Sequence, residues 1–383
     1  MPGGSAVGAG RGPLRVLHVQ KVAGISGSER HLLTLLPALA RAGVQVRMVV
    51  LAAGAAADFT RALVARGVGV TVVPAGPDAS PRVLRRLVRE IRAFRPDVVH
   101  THLIHADTHG QVAAWLAGVP GVSSAHSAHR FYAQLPYRTP ARVAGRLARR
   151  TIAISTHVAD YVTRLGLAPA DRVRVVPYGV EADRWPMSAT GRAQARATFA
   201  VEPDAFVVGI AARLIPHKGH ALLLDAVRVL AAELPRLRVL IAGDGPLRRD
   251  VARAAAALPP GVVRLLGFVG DVRAFMNACD VLAFLTMPEL NEGFGLAALE
   301  GMAAGCPVVV TRVGPLPDVV ADGRAGLVVD PRSREELVRA LAALAGDAGL
   351  RARLAAAARE RARRTFGVDA MVDRTVDVYR EVV

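Results

Sequence analysis

The chain has 383 residues and 40.3 kDa, enough for two ordinary domains with cores of their own, which excludes a single small binding module. Apolar residues make up 52% and aromatics only 4%, so the cores must be built from Ala, Val and Leu, and no apolar run approaches the roughly 18 to 20 residues that a membrane span needs. Basic residues number 49 against 32 acidic, while the cysteines are Cys279 and Cys306 alone, which excludes a disulfide framework and a zinc-cysteine cluster and suits the cytoplasm.

Residues 1–13, MPGGSAVGAGRGP, lack the apolar centre of a signal peptide and read as a disordered leader. Short β-branched runs then alternate with Ala/Leu/Arg-rich helical stretches. The first strands are RVLHVQ (15–20), QVRMVVL (45–51), VTVVP (70–74), DVVHTH (97–102), GVSSAH (121–126) and TIAIS (151–155). RVRVVPYGVEADRW closes this half with a strand and a turn-rich exit, and a linker is expected near PMSATGRAQ (186–194). The pattern restarts with FVVGIAAR (206–213), RVLIAGDG (238–245), VVRLLGFVG (262–270), DVLAFLT (280–286), PVVVTRVG (307–314) and AGLVVD (325–330). SREELVRALAAL follows, with Ser333 three residues before Glu336 as a capping box. The last helix, GVDAMVDRTVDVYREVV, is expected to cross back and brace the first domain.

Two successive βα arrays predict an α/β protein with two Rossmann-like domains facing each other across a cleft. The expected boundaries are 14–187 plus the terminal helix 367–383 for the first domain, and 188–366 for the second. The charge divides at the same place. Through residue 187 there are 24 Lys and Arg against 10 Asp and Glu, and beyond it 25 against 22. The positive field therefore belongs to the first domain, where it can meet nucleic acid, an anionic membrane or a phosphorylated substrate.

In GIAARLIPHKGH, Arg213 and Lys218 stand at the carboxyl edge of a buried strand, where open α/β folds bind ligands, and Gly219 permits a turn. Two cations at this spacing can clamp a diphosphate and supply the charge neutralisation of a metal ion. Lys218 is one of only two lysines, Lys21 being the other, so a compact ammonium is retained there in a chain otherwise committed to Arg. In NEGFGLAALEG, Gly293 and Gly295 let the backbone approach a ligand, and a helix starting near Leu296 offers its free amides to an anion. Glu292 lies at the mouth of that pocket and Glu300 about 6 Å further along the helix. One carboxylate on each side of an anion pocket suits a sugar nucleotide, with hydroxyls on both sides of its diphosphate.

The corresponding turn of the first array, VAGISGSERHL, has Gly24 and Gly27 in a loop before a helix near Ser28, placing amides on the opposing wall. It is not a dinucleotide fingerprint, and the GAGRG of the leader follows no strand. His100, His102, His105 and His109 cluster, but no cysteine or carboxylate set completes a metal site, so strand-end and loop roles are expected. His126 ends a strand in the basic half, where it is expected to reach into the cleft. No Asp-x-Asp pair is available for a metal-held nucleotide.

Taken together, NEGFGLAALE with its E-x7-E spacing, ARLIPHKG, AGDGP, GSERHL and VVPYGVE, found in this order, resemble the family 4 glycosyltransferases, retaining enzymes of the GT-B fold. The resemblance implies that Arg213 and Lys218 hold the donor diphosphate, that Glu300 accepts from the ribose, and that Glu292 contacts sugar hydroxyls near the reacting carbon. It further implies that the amides of Phe294, Gly295 and Leu296 meet sugar and phosphate, that Gly27 serves the diphosphate from the opposite wall, and that His126 contacts the transferred sugar. The base would lie against the backbone around Val269. The implied reaction is metal-independent and cofactor-free transfer of a hexose, with retention, from a nucleotide-diphosphate sugar to a hydroxyl acceptor that is a glycan, a lipid-linked group or a small molecule.

The acceptor is expected against the basic domain. Arg82, Arg85, Arg86, Arg89 and Arg92, together with Arg138, Arg142, Arg146, Arg149 and Arg150, suit helices resting on anionic lipid and equally suit solvated faces. Rival readings are another GT-B enzyme, such as a sugar-nucleotide epimerase or phosphorylase, and a non-catalytic nucleotide-sugar binder. A nucleic-acid partner is disfavoured for want of aromatic stacking residues.

Overall fold

The computed structural model describes residues 12–75, 80–128, 130–185, 188–290 and 292–383. Most of the expected leader thus lies outside the described residues, as do Pro186 and Met187. The first sheet contains β1 (Arg15–Val22), β2 (Gln45–Ala52), β3 (Gly69–Pro74), β4 (Val98–His102), β5 (Gly121–Ala125), β6 (Arg150–Ala153) and β7 (Val173–Val175), in the spatial order β3-β2-β1-β4-β5-β6-β7. The second contains β8 (Phe206–Ala211), β9 (Leu237–Ala242), β10 (Val263–Gly267), β11 (Val281–Phe284), β12 (Val308–Thr311) and β13 (Leu327–Val329), in the order β10-β9-β8-β11-β12-β13. Every pairing is parallel.

Parallel strands covered by helices on both faces must be apolar along both faces, and these are: Val16, Leu17 and Val19 of β1 and Val207 and Val208 of β8 are fully buried. The exceptions are polar residues that share one face by the period of two. His18 of β1 is in register with His100 of β4, and Gln20 with His102, so three histidines line the same side of adjacent strands.

The terminal helix Val368–Arg380 packs on the first sheet. Met371, Val372, Val378 and Tyr379 join the cluster of Leu32, Leu35, Leu36 and Leu39 from the helix Gly27–Arg41. Its end is tied down by Glu381, which accepts from Arg150 at 2.6 Å and from Arg174 at 3.1 Å. The outgoing and returning segments run side by side, with Val180 N donating to Phe366 O at 2.8 Å. The expected linker is largely helical instead: Ala189–Thr198 forms a helix whose first turn is capped by Ser188, accepting from Gly191 N at 3.0 Å. Ser333 caps the helix Arg334–Gly346 by accepting from Glu336 N at 3.1 Å, while the Glu336 carboxylate turns to Asp330 N at 2.7 Å.

Candidate active site

In both sheets the strand order reverses beside the first strand, between β1 and β4 and between β8 and β11. At such a switch point the connecting helices leave toward opposite faces and open a crevice at the carboxyl ends of the strands, where these folds take ligands. The two crevices face each other.

On the second-sheet wall, β8 runs into Arg213, then a single 3-10 turn, Pro216–Lys218. Gly219 holds φ +70, and a Cβ there would lie 2.1 Å from the Leu285 carbonyl oxygen, so only glycine lets the Lys218 turn press against the end of β11. That approach brings Lys218 Nζ to 3.0 Å from Glu292 Oε2, with the two side chains 17% and 18% exposed. Thr286 Oγ1 donates to the same oxygen at 3.2 Å, and Lys218 Nζ lies 5.3 Å from the centre of the Phe284 ring. Lys218 pairs with Glu292, while Arg213 is exposed and lines a cavity beside it.

The helix Leu296–Ala303 begins as the spacing predicts, after Gly295 at φ +93, where a Cβ would be 2.4 Å from Leu316. Phe294 is buried, its ring 5.3 Å from that of Tyr178 and 5.7 Å from that of Phe366, so only its main chain is available to a ligand. Gly293 closes the two domains: Ser155 Oγ donates to its carbonyl at 2.9 Å, and an added Cβ would stand 2.8 Å from His126 O.

Two cavities occupy the cleft. One of 290 Å³ is lined by Arg213, Ala212, Gly243, Phe268 and Val269, the other of 610 Å³ by His31, Thr34, Gly179, Trp185, Gly270 and Leu296. Glu300 and Arg30 border both. Arg30 reaches from the opposite wall to within 4.0 Å of Glu300. Burial pushes the Glu300 carboxyl above the usual carboxylate range, and Arg30 opposes the shift.

On the first-sheet wall the helix Gly27–Arg41 opens at the cleft. Glu29 turns back to accept from Ser26 N at 2.9 Å and is also held by Gln20. A Cβ on Gly27 would meet nothing within 4 Å, so protein packing gives no reason for glycine there. Past β4, Leu103 takes φ +67, a strained conformation at the cleft edge that costs about 1–3 kcal/mol.

His126 lies under the cleft rather than in it. It is 7% exposed, with Nδ1 2.8 Å from Tyr178 Oη and Nε2 3.0 Å from His102 Nδ1. The chain continues from His102 Nε2 to His18 Nδ1 at 3.0 Å. Burial holds His18 and His126 neutral, lowering each pKa to about 3. Tyr178, which joins this chain to Phe294, lies in the VVPYGVE stretch, where the sequence drew attention to the turn and not to the ring. His105 and His109 stay outside the chain; His109 Nε2 accepts from Ser80 N at 3.0 Å.

Residues 25–184 match the family model described as Glycosyltransferase Family 4, and residues 192–361 match Glycosyl transferases group 1. A protein of Saccharomonospora viridis named D-inositol 3-phosphate glycosyltransferase is 35% identical over 387 residues, covering 90% of this chain and 86% of its own. This chain belongs to glycosyltransferase family 4. A Streptomyces avermitilis protein of the same name is 36% identical over 307 residues, and the match spans only 65% of that protein's length. Among solved structures, Anabaena HepE in complex with UDP has a TM-score of 0.83 at 23% identity over 96% of this chain and 100% of its own. A Rickettsia africae glycosyltransferase gives 0.84 at 17% over 96% and 98%. The architecture of this family 4 chain is thus GT-B.

Proposed function

We propose that this family 4 chain is a retaining glycosyltransferase that moves a hexose from a nucleotide-diphosphate sugar to a hydroxyl acceptor, with no metal or cofactor taking part in the transfer. The observation that carries this is the Lys218–Glu292 pair at 3.0 Å, set at the β8/β11 switch point beside Arg213 and the Leu296 helix. An arriving diphosphate takes Lys218 and Arg213 as partners, and Glu292 is released to accept hydrogen bonds from sugar hydroxyls. In this reading Glu300 serves the ribose, Val269 the base, and the main chain of Phe294, Gly295 and Leu296, with Gly27 opposite, the phosphates and sugar.

In the reaction the acceptor oxygen forms its bond to the anomeric carbon on the face from which the diphosphate leaves. The acceptor proton passes to a phosphate oxygen, and Arg213 and Lys218 stabilise the charge that grows there. No side chain is required as covalent nucleophile. The His126 side chain, enclosed by His102 and Tyr178, acts through its main chain and its support of Gly293 unless the sugar draws the ring outward.

The acceptor lies against the basic first domain. The names of the relatives support a phosphorylated cyclitol among the small acceptors to be tried, and the HepE complexes make UDP-sugars the first donors. No helix among the described residues is long and apolar enough to cross a membrane. The helix Leu135–Leu147 nevertheless exposes Leu135 and Val143 among its arginines, which supports peripheral contact with anionic lipid at the inner face of the membrane. Flotation that is the same with neutral and anionic vesicles rejects that contact.

The test is a melting panel of nucleotide sugars, in which a ligand at 100 times its Kd stabilises by about 2.7 kcal/mol. It is followed by NMR assignment of the anomeric configuration of the product and by turnover in chelator. Absence of any nucleotide-sugar shift refutes the donor site. Binding without product makes the chain a sensor, and an inverted product rejects the front-face mechanism.

A further inference from the structure

We propose that His18, His100 and His102 form a buried three-histidine site for a divalent transition-metal ion of the imidazole-preferring class, zinc foremost, structural in role and separate from the donor cleft. One ring nitrogen from each lies within 4.8 Å of the others. His18 Nδ1 and His102 Nε2 are already 3.0 Å apart, close to the spacing of neighbouring ligands on a tetrahedral ion with bonds of about 2.0–2.1 Å. The third ring is adjacent: His100 has its centre 4.2 Å from that of His102 and 4.9 Å from that of His18. Contraction of the triangle by less than an ångström per ring completes the set.

Three features separate this cluster from an ordinary polar core. All three rings are at most 1% exposed, where aliphatic side chains would be the cheaper filling. His18 Nε2 has no hydrogen-bond partner in this dry setting, so the cluster is not the closed hydrogen-bond network that an ordinary polar core builds. Outer partners are also in place. His102 Nδ1 meets His126 Nε2 at 3.0 Å, and His100 Nδ1 meets Tyr379 Oη at 2.7 Å, the second contacts that orient metal-bound imidazoles. Ser124 Oγ, 2.8 Å from His100 Nε2, is an oxygen beside the cluster for a fourth position. An all-imidazole set selects zinc, copper or nickel over magnesium or calcium. The rings enter as neutral ligands, each presenting one unprotonated nitrogen to the ion.

The site joins β1 and β4 to the terminal helix through Tyr379, so the ion would staple the returning helix to the first sheet. The test uses the full chain without a histidine tag, purified with zinc, dialysed and analysed for metal by mass spectrometry, with cobalt as a spectroscopic substitute. Expected are one zinc per chain, a tetrahedral cobalt absorption band, a melting temperature that falls on removal of the metal, and loss of binding in both His18→Gln and His102→Gln. Zinc content at the buffer blank in the wild-type chain overturns the proposal. So does retention of zinc by well-folded variants, which would assign the ion to surface histidines. If the variants fail to fold, the cobalt spectrum of the wild-type chain decides.

Discussion

Replacing Lys218 by alanine separates the electrostatic role of the ammonium from its contribution to the fold. In the folded chain Lys218 has one ion pair, to Glu292 at 3.0 Å, and lies over the Phe284 ring at 5.3 Å. Both partners of the pair keep some solvent contact, and Thr286 Oγ1 still donates to Glu292 once the lysine is gone. The cost to stability therefore falls between that of an exposed pair and that of a buried one, about 1–2 kcal/mol. In the transition state the ammonium faces a leaving diphosphate, and losing such a stabiliser costs about 3 kcal/mol, or 100-fold or more in rate. The assay is kcat/KM for nucleotide release with the best donor, read beside urea unfolding. A drop of two orders of magnitude with a small loss of stability is expected, and it is expected to be only partly recovered by Lys218→Arg, because a delocalised guanidinium does not reproduce the compact charge of an ammonium at the leaving phosphate. A well-folded Lys218→Ala enzyme within a few-fold of wild type would refute the role.

Other expectations follow from the backbone and from one buried acid. Asp107, buried and accepting from the hydroxyls of Thr101 and Ser123, has its pKa pushed up by burial to about 7 from 3.8. The native state thus holds a proton that the unfolded chain has lost, so this contribution to stability is full below about pH 4 and disappears as pH rises through 7, by up to about 4 kcal/mol. Asp107→Asn should therefore gain on wild type between about pH 4 and pH 8 in urea unfolding, and an equal difference at both pH values would reject the shift. Gly219→Ala must relieve a 2.1 Å contact at φ +70 and should cost about 2 kcal/mol or more along with activity. Gly27→Ala meets nothing within 4 Å and should melt like wild type while raising the donor KM. If its KM is unchanged, the Gly27 amide does not serve the diphosphate.

The strands were legible because parallel sheets covered on both faces demand unbroken runs such as VVHTH and VVVT, and each of the thirteen runs named from the sequence contains a strand. The switch points followed from strand order, which no run of residues states by itself. Pairings between segments distant in sequence were less legible. The sequence placed Lys218 with Arg213 because they are five residues apart, whereas the Gly219 turn carries Lys218 to Glu292, 74 residues away. His18 gave no signal within RVLHVQ, and only the β1/β4 register sets it beside His100. The expected linker is largely a helix because Ser188 caps Ala189–Thr198. His126 did end its strand as expected, but the Tyr178 hydroxyl, contributed from 52 residues away, holds its ring below the cleft.

The two acids of NEGFGLAALEG now have distinct electrostatic settings. Glu292 is matched by Lys218 on its own wall, and Glu300 faces Arg30 from the other domain at 4.0 Å. The cleft thus carries cations and carboxylates already set against each other. On the proposed roles, a diphosphate takes up the cations and leaves each acid to accept from a sugar or ribose hydroxyl, so donor binding exchanges one set of charge contacts for another. Exchange releases fewer counterions than the neutralisation of an open basic patch, and donor Kd should change little with added salt. The Arg30–Glu300 contact differs from the Lys218 pair in one respect: it spans the domains, and its loss leaves Glu300 without a cation while the Ser155–Gly293 contact still joins the two. Arg30→Ala should accordingly tighten the first encounter with nucleotide and lower kcat, because the cation that could follow the diphosphate from the opposite wall is gone. A variant in which KM and kcat both stay at wild-type values would show that Arg30 only rests on the surface.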